Sequence, residues 1–214
     1  MSLPDHQWRT RYDRSRVASD GSLADPLEDF YLPALSESFQ YDRETGYFTA
    51  SSLSLAARGV QRFYENGGRI RLICGTQWNS DYTHLFLSQR EKLTETLQAV
   101  LDARQWSEEE KEGMIWLCHF LREERLEVRL AMRETGSGDG YFHNKHGILT
   151  DKDGHQVAFE GSLNETLQGW SANSESIHVT CSWWDLNERE RDTFAEIADG
   201  FERLWEDDHP EFKV

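Results

Sequence analysis

A chain of 214 residues with 39 acidic and 23 basic side chains, and a net charge of −16, has the size of one ordinary domain and is strongly acidic. Hydrophobic residues at 37% and aromatics at 12% supply enough apolar material for a folded core, which argues against a disordered segment. No apolar run approaches the ~18 residues of a membrane span and no signal peptide is evident, while Cys74, Cys118 and Cys181 fit a reducing cytoplasm better than a disulfide framework or a zinc site.

Residues 1–22 read as a polar arm bearing Arg9, Arg11, Arg14 and Arg16, either a disordered tail or a segment that tracks phosphates. Leu27, Phe30, Tyr31, Ala34, Leu35 and Ser38 recur at helical spacing and predict an amphipathic helix. Tyr47-Phe48-Thr49-Ala50 reads as a short strand, and Ser51 or Ser52 as the cap of a helix with Leu53, Ala56, Ala57, Val60 and Phe63 inside. Gly67-Gly68 ends that helix, and Arg69 to Cys74 alternates as a strand. A helix is expected after Asp81, burying Phe86, Leu93, Leu97, Val100 and Leu101, and another after Ser107, burying Met114, Leu117, Cys118 and Leu121. Leu126 to Met132 is the next strand, and Gly136-Ser137-Gly138-Asp139-Gly140 reads as a connector. Further on, Ser176 to Thr180 is a strand, followed by a helix with Phe194, Ile197, Ala198, Phe201, Leu204 and Trp205 on one face. Strands alternating with helices predict the α/β class, a three-layer α/β/α sandwich around a mixed sheet. It would occupy residues 23–206, with 207–214 a linker or tail, so that the chain reads as a domain excised from a longer protein.

The chemistry concentrates between His143 and Glu175. His143 and Lys145 are two apart, so on a strand they share a face, with Phe142, Asn144 and His146 opposite. Asp151-Lys152-Asp153-Gly154 reads as a hairpin turn, and Val157-Ala158-Phe159 returns beside the first strand to deliver Ser162 and Asn164 to the same end. A histidine attacks phosphorus when one ring nitrogen is free and the other is held. Glu175 is the candidate to hold His143, Lys145 supplies a point charge for phosphate oxygens, and Ser162 and Asn164 add donors. A lone His-x-Lys pair signals little, and Gly-Ser-Leu-Asn alone suits a turn before a helix cap. Their combination at these spacings is what points to phosphodiester cleavage. No carboxylate pair or His/Cys cluster has metal-site spacing, so neither a metal nor another cofactor is expected.

His-x-Lys, then Gly-Ser-x-Asn, then glutamate eleven residues after the asparagine, resembles the signature of the phospholipase D superfamily. The resemblance implies His143 as nucleophile, Lys145, Ser162 and Asn164 as phosphate binders, and Glu175 as the group orienting histidine. The family's usual pattern has an aspartate where this chain has Thr150; Asp151 comes one position later and is assigned to turn chemistry. Upstream, Phe30-Tyr31-Leu32-Pro33-Ala34-Leu35, Gly46-Tyr47-Phe48, Ala57-Arg58-Gly59 and Gly67 to Leu72 resemble the phospholipase-D-type domain at the start of many bacterial superfamily II helicases and restriction or defence proteins. This implies a cytoplasmic, metal-independent DNA nuclease attached to a helicase domain or subunit. With one His-x-Lys unit per chain, a homodimer would complete the active site.

Net charge of −16 weighs against nucleic acid, because phosphate backbones favour basic surfaces. The acid gathers in stretches such as Ser107-Glu108-Glu109-Glu110 and Glu206-Asp207-Asp208, whereas Arg58, Arg69 and Arg71 lie elsewhere. A catalytically weak dimerisation and nucleic-acid-docking module is the alternative reading. A phospholipid hydrolase is the minor one, since no basic amphipathic segment suits a membrane surface.

Overall fold

The computed structural model describes residues 2–17, 21, 23–75, 92–102, 105–133 and 142–214. Its strands are β1 (Arg11–Val17), β2 (Leu23–Ala24), β3 (Gln40–Thr45), β4 (Arg69–Gly75), β5 (Leu126–Arg133), β6 (His146–Thr150), β7 (Gln156–Gly161), β8 (Ser176–Cys181) and β9 (Phe212–Lys213). They form one sheet in the order β2-β1-β8-β7-β6-β3-β4-β5-β9. The neighbours β3, β4 and β5 run parallel, and the other pairs are antiparallel, so the sheet is mixed.

The helices are α1 (Leu32–Glu37), α2 (Ser51–Leu55), α3 (Ala57–Glu65), α4 (Leu93–Asp102), α5 (Glu108–Arg122), α6 (Leu167–Ser171) and α7 (Glu188–Trp205). A π-helical turn, Pro26–Tyr31, leads into α1. Alternation along the central strands divides the core. Leu72, Leu149, Val157 and Phe159 pack under the helices before α7, with Phe30, Leu35, Phe63 and Met114. Ile73, Ile148 and Ala158 point the other way, against Ile197, Phe201, Leu204 and Trp205 of α7. Continuous apolar runs such as Val157-Ala158-Phe159 are what a strand covered on both faces requires. This is the expected three-layer α/β/α arrangement. Among the described residues no helix is long and apolar enough to cross a membrane.

Local chemistry sets the boundaries. Ser107 and Glu110 form a capping box at α5, and Asn187 and Glu190 another at α7. Gly67, at φ +83°, closes α3, and the Gly68 amide reaches back to the Phe63 carbonyl at 2.8 Å. The helical spacing from Leu27 to Leu35 corresponds to the π-turn and α1, and the long α7 buries the residues its periodicity marks. The helix expected after Asp81 falls largely outside the described residues, as does the loop 136–140; its later part is α4.

Several expectations need correction. The strand after α1 is not Tyr47–Ala50 but Gln40–Thr45, where Asp42, Arg43 and Glu44 are all buried. Charge concealed that strand, because each group is neutralised or hydrogen-bonded inside; Arg71 Nε, for example, donates to Asp42 Oδ1 at 2.6 Å. Neither serine caps α2, since Ala50 holds the N-cap position and the Ser52 hydroxyl donates to the Thr49 carbonyl. The boundary drawn at residue 22 does not follow the sheet. Arg11–Val17 pairs with β8, Tyr12 is 1% exposed, and Arg14 is tied to Asp25 and the Trp170 carbonyl, so the arginine-rich segment is built into the domain. At the other end Phe212 and Lys213, assigned to a tail, pair with β5. His143 and Lys145 precede their strand, which begins at His146.

Two glycines predict opposite effects on stability. A Cβ on Gly113 of α5 would lie 2.0 Å from the Ala50 carbonyl oxygen, an atom of the backbone entering α2. Gly113→Ala should therefore cost about 3 kcal/mol. Gly200 of α7 has no neighbour within 4 Å of an added Cβ, and Gly200→Ala should gain about 0.8 kcal/mol through helix propensity. Urea unfolding of the two variants beside the parent chain measures both.

Candidate functional site

Three segments meet at one end of the sheet. The first is the exit of β3, where the Thr45 hydroxyl donates to the Tyr47 carbonyl at 2.7 Å and accepts from the Glu165 amide at 3.1 Å. The second is the extended entry to β6, His143 to Lys145, still held to β7 by the Gly161 amide on the Lys145 carbonyl. The third is the loop after β7, carrying Ser162 and Asn164. Asn164 Oδ1 accepts from the Tyr47 amide at 3.2 Å. The hairpin β6–β7 pairs from His146↔Glu160 to Thr150↔Gln156, so the two loaded segments emerge side by side.

Gly46 is the floor of the site. A Cβ there would fall 2.5 Å from Cδ2 of His143 and 3.4 Å from Asn164 Oδ1, so the imidazole and the asparagine amide converge on one glycine. Only a residue without a side chain permits that approach. Lys145 Nζ lies 2.9 Å from His143 Nε2 and 3.1 Å from Nδ1 and from the His143 carbonyl. Ser162 Oγ donates to the Glu175 carboxylate and accepts from the Ser176 amide, and Glu175 Oε1 accepts from Asn173 Nδ2 at 3.2 Å.

The structure thus brings together His143, Lys145 and Asn164, with Ser162 and Glu175 paired beside them. The Glu175 carboxylate bonds Ser162 and Asn173 rather than closing directly on the His143 ring in the hydrogen bonds it makes here, and its charge is felt at Lys145. Burial and the Lys145 charge both hold the His143 pKa below the usual histidine range, which keeps the imidazole neutral and nucleophilic near neutral pH. Lys145 is itself lowered by burial and by Arg43, with Glu175 opposing.

The chain pattern gave no role to Arg43, Glu44, Thr45 or Glu165, which support these groups from below. Glu44, 2% exposed, accepts from Asn144 Nδ2 at 2.8 Å and so grips the residue between His143 and Lys145. Burial raises its pKa to about 7 against the lesser pull of Asn144 and Arg43. The available signal for Glu165 was its place directly after Asn164; for Arg43 and Glu44 it was a charged run inside a sheet protein.

Among the described residues one group has metal-donor geometry, Asp151, Asp153 and His155. It lies at the turn, at the far end of the hairpin from His143. Asp151 Oδ1 already accepts from the Asp153 and His155 amides, and Oδ2 from the Leu3 amide at 3.1 Å, which is turn chemistry.

Two measurements follow from these charges. Lys145→Met removes a cation beside His143 at similar volume, so the imidazole pKa should rise, read from the pH titration of its ring proton by NMR. For Glu44 the folded pKa of about 7 exceeds the unfolded 4.5, so the folded state binds the extra proton between them and stability falls as pH rises through that window. Glu44→Gln should relieve about 2–3 kcal/mol at pH 8 and change little near pH 4, in urea titrations at the two pH values.

No family model matches the sequence, and no curated protein matches it either. Solved structures with a similar arrangement include NucT from Helicobacter pylori, at 12% identity and TM-score 0.43 over 82% of this chain and 84% of that one. Nuc from Salmonella typhimurium, a phospholipase D family member, aligns at 12% identity and TM-score 0.42 over 86% and 88%. The yeast tyrosyl-DNA phosphodiesterase aligns at 10% identity and TM-score 0.40, over 68% of this chain and 26% of that one.

Proposed function

We propose that this domain is a phosphodiesterase of phospholipase D type, a metal-independent DNA endonuclease that works through a phosphohistidine. The observation that carries the reading is the convergence of the His143 imidazole, the Lys145 ammonium and the Asn164 amide around Gly46. A phosphate entering there takes Lys145 Nζ from the imidazole onto its non-bridging oxygens. The freed ring nitrogen attacks phosphorus as the P–O bond to the leaving group breaks, and water later cleaves the P–N bond. Lys145, Ser162 and Asn164 stabilise the charge on the phosphoryl oxygens, a donor of this kind being worth about 2.7–4 kcal/mol. Glu175, after exchange of its serine contact, holds the imidazolium.

The leaving oxygen needs a proton. His143 is exposed, and a second copy related by a twofold axis would bring a second His143 to the opposite side of the phosphate as general acid. Such a site holds one phosphate, so the dimer cleaves one strand per event. Attachment to a helicase or restriction system, in the cytoplasm, is the setting we favour for it.

The net charge of −16 favours a second reading, a docking module that binds phosphate and dimerises without turnover. Purified chain incubated with single- and double-stranded DNA in excess EDTA decides between them. Cleavage is expected in EDTA, with His143→Ala reducing it at least about a thousandfold, and light scattering should report a dimer. Activity abolished by EDTA and restored by magnesium would refute the chemistry. Absence of any cleavage, with dimers persisting, would favour the docking module.

A further inference from the structure

Arg43 reaches every segment of the site without facing its surface. It is 0% exposed, lies on β3 and stacks its guanidinium 5.1 Å from the Phe159 ring centroid. Nη1 donates to the His146 carbonyl at 3.0 Å, one residue beyond Lys145. Nη2 donates to the Leu163 carbonyl at 2.6 Å, between Ser162 and Asn164. Nε donates to Glu165 Oε2 at 3.1 Å, one residue after Asn164. A planar guanidinium has its donors at fixed angles, so these three bonds fix the spacing of the chains they touch.

Glu165 holds Arg43 in turn. Its carboxylate also accepts from Tyr31 Oη and Tyr41 Oη, each at 2.9 Å, and from Trp170 Nε1 at 3.1 Å. Its amide and carbonyl bond Thr45 Oγ1 and the Thr49 amide, which ties the loop after β7 to the segment containing Gly46.

We propose that Arg43, held by Glu165, is a positioning residue that sets the separation between the segment bearing His143 and Lys145 and the loop bearing Ser162 and Asn164. The inference rests on the reading of these four as one phosphate site, and it adds a residue that substrate never touches. A buried ion pair of purely structural value would affect stability alone. A brace affects phosphate recognition in protein that is still folded.

Full-length Arg43→Lys, Glu165→Gln and Tyr41→Phe are compared with Leu117→Ala, a core truncation in α5. Lysine keeps the charge and loses the fork, glutamine keeps shape and loses charge, and phenylalanine removes one donor to Glu165. Thermal melts verify folding. Inorganic phosphate binding is followed by the His143 ring proton in NMR, and turnover by single-stranded DNA cleavage in EDTA. Folded brace variants should bind phosphate about fivefold more weakly and lose about tenfold or more in kcat, because small misplacements of reacting groups are costly. Leu117→Ala, with a comparable loss of melting temperature, should change neither. Should Arg43→Lys fail to fold, Glu165→Gln and Tyr41→Phe decide by the same criteria. Folded variants indistinguishable from Leu117→Ala in both measurements would overturn the proposal. Parent chain that binds phosphate yet cleaves nothing would sink the nuclease reading, and the binding comparison would still decide the brace.

Discussion

A carboxylate buried away from water governs how this sheet is assembled. Glu165 is 2% exposed, and the cost of burying its carboxylate is offset by the hydrogen bonds its oxygens accept from Arg43, two tyrosine hydroxyls and an indole. Removing one partner of such a pair typically costs about 3–5 kcal/mol, a large part of the 5–15 kcal/mol that holds a domain together. Burial and the neighbouring carboxylate push the Tyr31 and Tyr41 hydroxyls well above the ordinary phenol range, so both remain donors. The helical turn before α1, strand β3 and helix α6 all send a group to the same carboxylate, which the loop after β7 carries. Order at the surface above, where His143 and Asn164 meet, is inherited from that demand.

The opposite face repeats the principle with looser partners. Glu44, His146, Glu160 and His178 stand opposite one another in register across β3, β6, β7 and β8, acid alternating with base, and Arg11 of β1 stands beside His178. His146 lies 3.7 Å from Glu44 and 3.8 Å from Glu160. Polar cross-strand pairs of this kind stabilise a sheet modestly. Farther along β3 and β4, Arg71 bridges Asp42 and Glu202 while its guanidinium covers Phe201 and Trp205 of α7.

Much of this was readable from residue order, because periodicity reports which face is buried. Leu27 to Leu35, Met114 to Leu121 and Phe194 to Trp205 mark their helices by apolar spacing, and the hairpin follows from Asp151-Lys152-Asp153-Gly154. The separations of His143, Lys145, Ser162 and Asn164 are local to that hairpin, which is why their meeting was foreseeable. Gln40 to Thr45 defeats the same logic, since Asp42, Arg43 and Glu44 are interior only by virtue of partners distant in sequence. Arg11 to Val17 resembles a polar arm for a related reason: its pairing partner, β8, is far along the chain. Glu175 shows a third limit. Spacing brings it to the site, but its hydrogen bonds are settled by which donor lies nearest, and that donor is Ser162.

The position of β1 has a consequence for how the molecule is made. Arg11 pairs with His178 and Asp13 with Ser176, so a strand synthesised early waits for one synthesised late. Until β8 leaves the ribosome, β1 has no partner but the two-residue β2, and β7 presents an open edge of unpaired amides and carbonyls. Pairings between such distant segments pay their loop-closure entropy before they are rewarded, which slows folding and prolongs exposure of sticky edges. The parallel core of β3, β4 and β5, joined by helices, is free to consolidate first. Completion of the sheet on the β1 side is then a late, long-range event, and the growing chain is most vulnerable to association with its own copies just before it.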